Sequence, residues 1–440
     1  MRATLAVLVT LLVTSVSLHA QTREEKVRAD KARIESEGFW LYNDFEAALE
    51  VGKKTGKPLL VALRCLPCEE CVKLDDDLID NDPAVQDLLE KFVCVRIVGT
   101  NGLDLDIFQY DTDQSFAMFM LNADKTVYGR FGTRSHRTEW LGDVSIEGMA
   151  KALEGALELH ANYPANRAQL AGKKGKPLEF GAPEEFPSLK SKYTDRLDYE
   201  NDVVKSCIHC HQIGDARREF YWHRSQPIPD KLLFPYPHPK SVGMVLDPKE
   251  AATLKEVTSG SPAAEAGLKP GDQILSINDQ PLLSMADVQW VLHNLPSQSN
   301  SLALRVSRSG ELLDIGMQLP GNWKALGDTD WRVSSWLMCR MLLGGMRLDS
   351  MTDEDKRAAG IKSGMALRVR SLGKYNAHGL ARRTGFREGD IILSYDGQTD
   401  FLRESDLFAY GGKNLKPGQK ISVGILRKGK KRNLNLPIQK

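Results

Sequence analysis

The chain has 440 residues, of which 42% are hydrophobic and 27% charged, and its formal net charge is +1. That balance leaves no electrostatic footprint for nucleic acid or for an anionic membrane surface. The length suits roughly three domains of about 150 residues each.

The N-terminus has the pattern of a secretory signal. Arg2 supplies the charge, Leu5 to Val16 supply a short apolar run, and small residues follow to a cleavage position at Ala20. The run is too short for a spanning anchor, although an uncleaved anchor is the rival reading. No later segment approaches transmembrane length, so the mature protein is expected to be soluble, exported and periplasmic or otherwise extracytoplasmic. Residues 1–20 are thus a signal peptide. Residues 21–38 are a charged, helix-prone leader, expected to be mobile.

Residues 39–160 alternate helical and extended patterns. A helix is expected over 44–54, a buried strand over 59–63, helices over 72–78 and 83–92, and a strand over 93–98. A hairpin follows, 116–121 and 127–131, turning at Asn122-Ala123-Asp124-Lys125, and then a helix over 146–160. Lys57-Pro58-Leu59-Leu60-Val61, with Cys68-Glu69-Glu70-Cys71 ten residues after the proline and then Leu74, resembles the thioredoxin fold. The hairpin Phe119-Met120-Leu121-Asn122-Ala123-Asp124 fits the same resemblance, which implies an α/β sandwich.

Five of the seven cysteines fall in two tight clusters, a pattern of redox or cofactor chemistry rather than of a disulfide scaffold. In the first cluster the resemblance implies that Cys68 attacks and Cys71 resolves. A helix start there favours the thiolate, whereas Glu69 and Glu70 oppose it. Cys65-Leu66-Pro67-Cys68 is a second C-x-x-C in the same run. Cys65, Cys68 and Cys71 could instead hold a soft metal such as Cu(I), or form a structural disulfide with one spare thiol. The family's cis-proline belongs near Ser115 or Phe116, yet no proline occurs between Pro83 and Pro164.

Residues 161–240 are a linker carrying the second cluster, Cys207-Ile208-His209-Cys210-His211. The spacing is that of c-type haem attachment: two thioethers at Cys207 and Cys210, and His211 on the iron. The flanks, Val203 to Ser206 and Gln212 to Gly214, resemble the N-terminal helix of small cytochromes c. His223, His238 and Met244 are the candidates for the sixth ligand. Zinc, using His223, and a plain disulfide are the rivals.

The C-terminal half holds a repeat. Residues 263–278, containing Ala266-Gly267-Leu268-Lys269-Pro270-Gly271-Asp272, recur 118 positions later as 381–396, containing Thr384-Gly385-Phe386-Arg387-Glu388-Gly389-Asp390. Both copies resemble the PDZ domain, over 241–320 and, more loosely, 321–440. The resemblance implies capture of C-terminal or extended peptides along a sheet edge, with backbone N–H groups on the terminal carboxylate. The matching loops are Ser241-Val242-Gly243-Met244 and Leu343-Gly344-Gly345-Met346. Val242, Gly243, Met244, Gly345 and Met346 are therefore the expected peptide-binding residues. Exported proteins with tandem PDZ modules are often trypsin-like proteases, but no Gly-x-Ser-Gly-Gly motif occurs here, so a protease reading would be analogy without a site.

The expected architecture is multidomain: a thioredoxin-like α/β sandwich, a small helical and irregular C-x-x-C-H segment, and two mainly-β PDZ domains. The expected function is exported redox chemistry with a haem c, a redox partner protein and PDZ-recruited clients. The alternative is a non-enzymatic PDZ adaptor built on an inactive thioredoxin fold.

Overall fold

Leu59 to Arg64 are apolar on both alternating faces apart from the final arginine, and that is the composition of a strand buried on both sides. In the computed structural model, which describes residues 21–64, 82–134, 143–296, 298–327, 329 and 331–440, this run is the centre of a five-stranded sheet. The strands are β1 (Leu41–Tyr42), β2 (Leu59–Arg64), β3 (Val93–Val98), β4 (Gln114–Leu121) and β5 (Val127–Arg134), in the order β1-β3-β2-β4-β5. β2 runs parallel to β3 and antiparallel to β4. Side chains alternate across the pleat. Leu60 and Ala62 enter one apolar layer with Ile34, Leu89 and Leu153, while Leu59, Val61 and Leu63 enter the other with Leu49, Ile208 and Ile213.

Helices α1 (Arg23–Glu37), α2 (Phe45–Thr55), α3 (Pro83–Leu89) and α4 (Ile146–Ala161) supply much of those layers. α1 corrects the expectation of a mobile leader. Thr22 and Glu25 cap it reciprocally. Val27 and Ile34, seven residues apart and so on one helix face, are buried. Asp30 meets Arg64, the buried last residue of β2, at 2.5 Å. The signal segment and the helix expected over 72–78 lie outside the described residues.

The first C-terminal module has the paired strands β6 (Met244–Leu246) and β7 (Leu254–Val257). Its second sheet has the order β11-β10-β8-β9, from β8 (Gln273–Ile277), β9 (Gln280–Pro281), β10 (Ser301–Arg308) and β11 (Glu311–Gln318). It follows α5 (Cys210–Trp222) and contains α6 (Met285–Asn294). The second module opens with α7 (Ser335–Leu343). It continues as the sheet β12 (Met346–Ser350), β13 (Leu367–Leu372), β14 (Ile391–Tyr395), β15 (Lys420–Arg427) and β16 (Lys430–Pro437), in sequence order, with α8 (Glu404–Asn414) before β15. The basic run 427–432 closes the β15–β16 hairpin, with Arg427 opposite Lys430.

The repeat has a physical basis that is the same in both modules. Asp272 and Asp390 are buried, and each binds the arginine that ends a long strand: Arg308 at 2.7 Å and Arg427 at 2.6 Å. Each also accepts a backbone N–H three residues upstream, from Lys269 and Arg387. The same two arginines donate to Gly267 O and Gly385 O, which ties the Gly-Asp turn to the sheet.

The first module is plugged into the sandwich through α6. Leu283, just ahead of α6, lies against Gly129 and Gly155, where a Cβ would stand 2.5 and 2.7 Å from its methyl carbons. Asp287 accepts from Lys173 Nζ at 2.9 Å, from the Arg130 backbone at 3.2 Å and from the Leu283 backbone at 3.0 Å. The Arg130 guanidinium lies 3.6 Å from the Trp290 ring centroid. Lys173 and Asp287 are each only 1% exposed. Removing one partner strands the other charge in the interior. Asp287→Ala is therefore expected to cost about 3–5 kcal/mol, read as a lowered urea midpoint, whereas Asp314→Ala, which breaks only an exposed pair with Arg305, should cost under about 1 kcal/mol.

Candidate functional site

The C-x-x-C-H run opens α5, and the segment around it is a layer of the sandwich rather than a separate small domain. Ile208, Ile213 and Ala216 are buried on the same face of the sheet as Val61 and Leu63. Ile208 O accepts from Thr100 N and Oγ1 at 3.0 and 2.9 Å, and Ile208 N donates to Asn101 Oδ1 at 2.9 Å. The Asn101 amide group donates on to Thr194 O and Ser206 O.

Cys207 and Cys210 are both thiols. Cys207 is 4% exposed. A Cβ placed on Gly99 would stand 2.9 Å from its sulfur. Burial and the neighbouring Cys210 push the Cys207 thiol up to about 12. Cys210 packs on the apolar layer that contains Ile208. His211 faces elsewhere, into a cavity of about 320 Å³ between α5 and α7 that neither sulfur lines. Burial lowers the affinity of His211 for a proton.

These residues do not fit a haem as they stand. Covalent attachment needs both sulfurs at the edge of the porphyrin whose iron the histidine meets; here Cys207 is buried against Gly99, and neither sulfur lines the cavity that His211 enters. The sixth-ligand candidates are also placed elsewhere. His223 caps the end of α5, His238 lies 3.5 Å from Asp143, and Met244 is buried at the start of β6. The histidine that shares the cavity with His211 is His378, which the linear spacing did not single out. Among the described residues no group of three or more His, Cys, Asp or Glu is arranged to hold a metal, which also leaves the zinc alternative without a ligand set.

Cys65, Cys68 and Cys71 lie outside the described residues. The strand that leads to them ends at Arg64, whose carbonyl accepts from Gly99 N at 3.4 Å. Phe116, at the expected cis-proline position, sits opposite Arg64 in the register of β2 with β4. The loop from Gly99 to β4 is locked from above. Thr100 and Asn101 are held by residues 194–208. Asp111 and Asp113 are 2% and 5% exposed and bind Arg332, at 2.6 and 3.1 Å. Asp113 also accepts Ser334 N and Oγ at 2.9 and 2.8 Å. Burial opposes ionisation of Asp113, yet Arg332, Arg218 and the Ser334 hydrogen bonds hold its carboxyl below the usual range.

In the first module the side chains of Val242 and Met244 are buried in the core. Gly243 has φ +88°, and a Cβ there would stand 1.9 Å from Ser261 Oγ. Gly345 has φ +85°, and a Cβ there would stand 1.9 Å from the His378 carbonyl oxygen; Met346 is buried. Tyr236, ahead of the first loop, stacks on His293 of α6 with centroids 4.0 Å apart.

Residues 40–123 match the thioredoxin-like family, and residues 253–306 and 367–438 match PDZ domains. The chain therefore carries a thioredoxin-like domain followed by two PDZ domains. Over 188 residues it is 29% identical to a protein described as "Probable periplasmic serine endoprotease DegP-like" from Pseudomonas savastanoi pv. phaseolicola (strain 1448A / Race 6), covering 42% of this chain and 37% of that protein. A protein of the same description from Pseudomonas putida (strain GB-1) is also 29% identical over the same shares. The chain thus spans less than two fifths of the length of these relatives. Among solved structures, an HtrA-type protease AlgW with decapeptide is 23% identical, covering 31% of this chain and 41% of that one, with a TM-score of 0.20. The serine endoprotease from Yersinia pestis is 18% identical over 31% and 46%, with a TM-score of 0.15. No helix among the described residues is long and apolar enough to cross a membrane.

One group beside His211 gives the site a pH signature. Burial raises the Asp215 carboxyl to about 7, against the lowering effect of Arg218. An unfolded aspartate titrates near about 3.9. Between those values the folded chain holds the proton and the unfolded chain does not, so stability falls as pH rises through that window. Asp215→Asn is expected to remove this loss. Its stability relative to wild type should rise by about 1 kcal/mol or more from pH 4 to pH 8, measured by urea unfolding.

Proposed function

We propose that this is an exported scaffold that captures polypeptide segments on its first PDZ domain and uses the thioredoxin-like domain as a structural platform. The observation that carries this reading is the cover over the sheet end where a thioredoxin-like protein engages its client. There the loop before β4 is pinned by Ile208 and by the buried Arg332–Asp111–Asp113 cluster. A client would have to displace residues that hold the sandwich together. Export is supported by the signal-like N-terminus and by the periplasmic description of the relatives.

The capture edge is β6. It pairs with β7 on one side only. Among the described residues no hydrogen bond from outside that pair reaches Met244 O or Leu246 N. An added strand would find those groups available.

A second reading, a client-recruiting thiol-redox protein, is favoured by one placement. Cys207 sits against Gly99, whose N–H meets the carbonyl of the residue preceding Cys65. Two measurements separate the readings. On the scaffold reading the purified protein reduces a model disulfide no faster than free dithiothreitol carrying it, and Cys68→Ser changes nothing. A rate that Cys68→Ser abolishes would establish the redox reading instead. On the same scaffold reading the pyridine haemochrome is blank and the mass is that of the bare processed chain. A haemochrome signal would show that Cys207, Cys210 and His211 turn to a common face.

A further inference from the structure

β12 is the edge strand of the second PDZ sheet, so a peptide added to that module would lie along its outer side, with its terminal carboxylate at Leu343-Gly344-Gly345-Met346. In this chain that edge is taken. α7 runs directly into the loop, and its carbonyl end meets the loop donors: Gly344 N–H and Gly345 N–H both donate to Cys339 O, the second at 3.1 Å. Alongside, Cys339 Sγ donates to Met346 O at 2.7 Å. The next donor on the edge, Leu348 N–H, goes to Glu404 Oε1 of α8 at 2.8 Å.

The side chains of α7 touch both walls of the groove. Leu342 packs against α8 at Gly411, where a Cβ would stand 3.0 Å away, and Leu342 O accepts from Tyr395 Oη at 2.7 Å. At the far end of the helix Ser335 Oγ meets Arg347 Nη1 of β12 at 3.0 Å. Among the described residues the first module has no such element. Its loop is preceded by a short 3-10 turn, Pro239–Val242, rather than by a helix.

We propose that α7 is a built-in ligand of the second PDZ domain, seated in the peptide groove with the Cys339 carbonyl where a peptide's terminal carboxylate would lie. The inference rests on the PDZ assignment of residues 367–438. While α7 is seated, the second module accepts no outside peptide and capture is left to β6. The seat is also held from outside, because Arg340 on the opposite face of α7 pairs with Glu219 of α5 at 3.2 Å. α7 thus links the C-x-x-C-H helix to the state of the second groove.

The test uses the full chain and a pool of decapeptides with free C-termini and a photo-activated cross-linker, with attachment sites mapped by mass spectrometry. Arg340→Glu sets a third carboxylate against Glu219 and Asp215 without touching the core of the second module. It is expected to speed amide exchange in α7 and at Gly344 and Gly345 by at least about tenfold. With it, cross-links should appear on residues 344–350 that wild type does not give. If Arg340→Glu leaves exchange unchanged, Leu342→Asp serves as the unseating variant. Cross-links on 344–350 in wild type would overturn the proposal, as would an unseated α7 that brings no new cross-link there. Cross-links on residues 242–246 report the first module separately, so failure of the scaffold reading is read independently.

Discussion

The arrangement depends on a single buried carboxylate. Asp287 at the start of α6 neutralises Lys173 and holds the Arg130 backbone, in a seam where none of the three side chains meets much solvent. Such a cluster adds little net stability over a well-packed apolar one, but it tolerates no displacement, because a shift leaves a charge without its partner. Leu283 on Gly129 and Gly155 supplies the apolar burial, and the ions fix the angle. The first PDZ domain is for that reason an extension of the sandwich rather than a bead on a tether.

The same logic recurs at Arg332. Two aspartates that precede β4 face an arginine from the connection between the PDZ domains, which also donates to Pro235 O, so this connection is tied to the thioredoxin-like sheet end. In a thioredoxin-like enzyme that sheet end is where a client approaches. Here the loop before β4 is tied down by Ile208 and by Arg332. Nearby, Arg218 is buried and His211 and Asp215 are half-buried, all three with shifted proton affinities.

The two PDZ domains show how little the shared signature fixes about use. Asp272 and Asp390 hold identical turns with identical arginine partners. The difference lies in what precedes each loop, a short 3-10 turn in one case and a nine-residue helix in the other. That difference sets what lies beside each loop: in the second module the helix places Cys339 Sγ on Met346 O of β12.

What the amino-acid order determined by itself was local. The strand at 93–98 came out at its expected bounds, the hairpin at 114–134 and the helix at 146–161 came out within a few residues, and the repeat marked both PDZ domains. Alternation and helical spacing are set by neighbours a few positions apart, so they can be read without the fold. The tertiary structure decided the rest. The docking of α1 needed Arg64, 34 positions beyond Asp30. The different surroundings of Cys207 and His211, close in sequence, followed from Gly99 beside one and α7 beside the other. Motif spacing gives which atoms are near along the chain. Which way they face is set by the burial of Ile208 and Ile213 against the sheet, a free energy that exists only once the distant strands are in place.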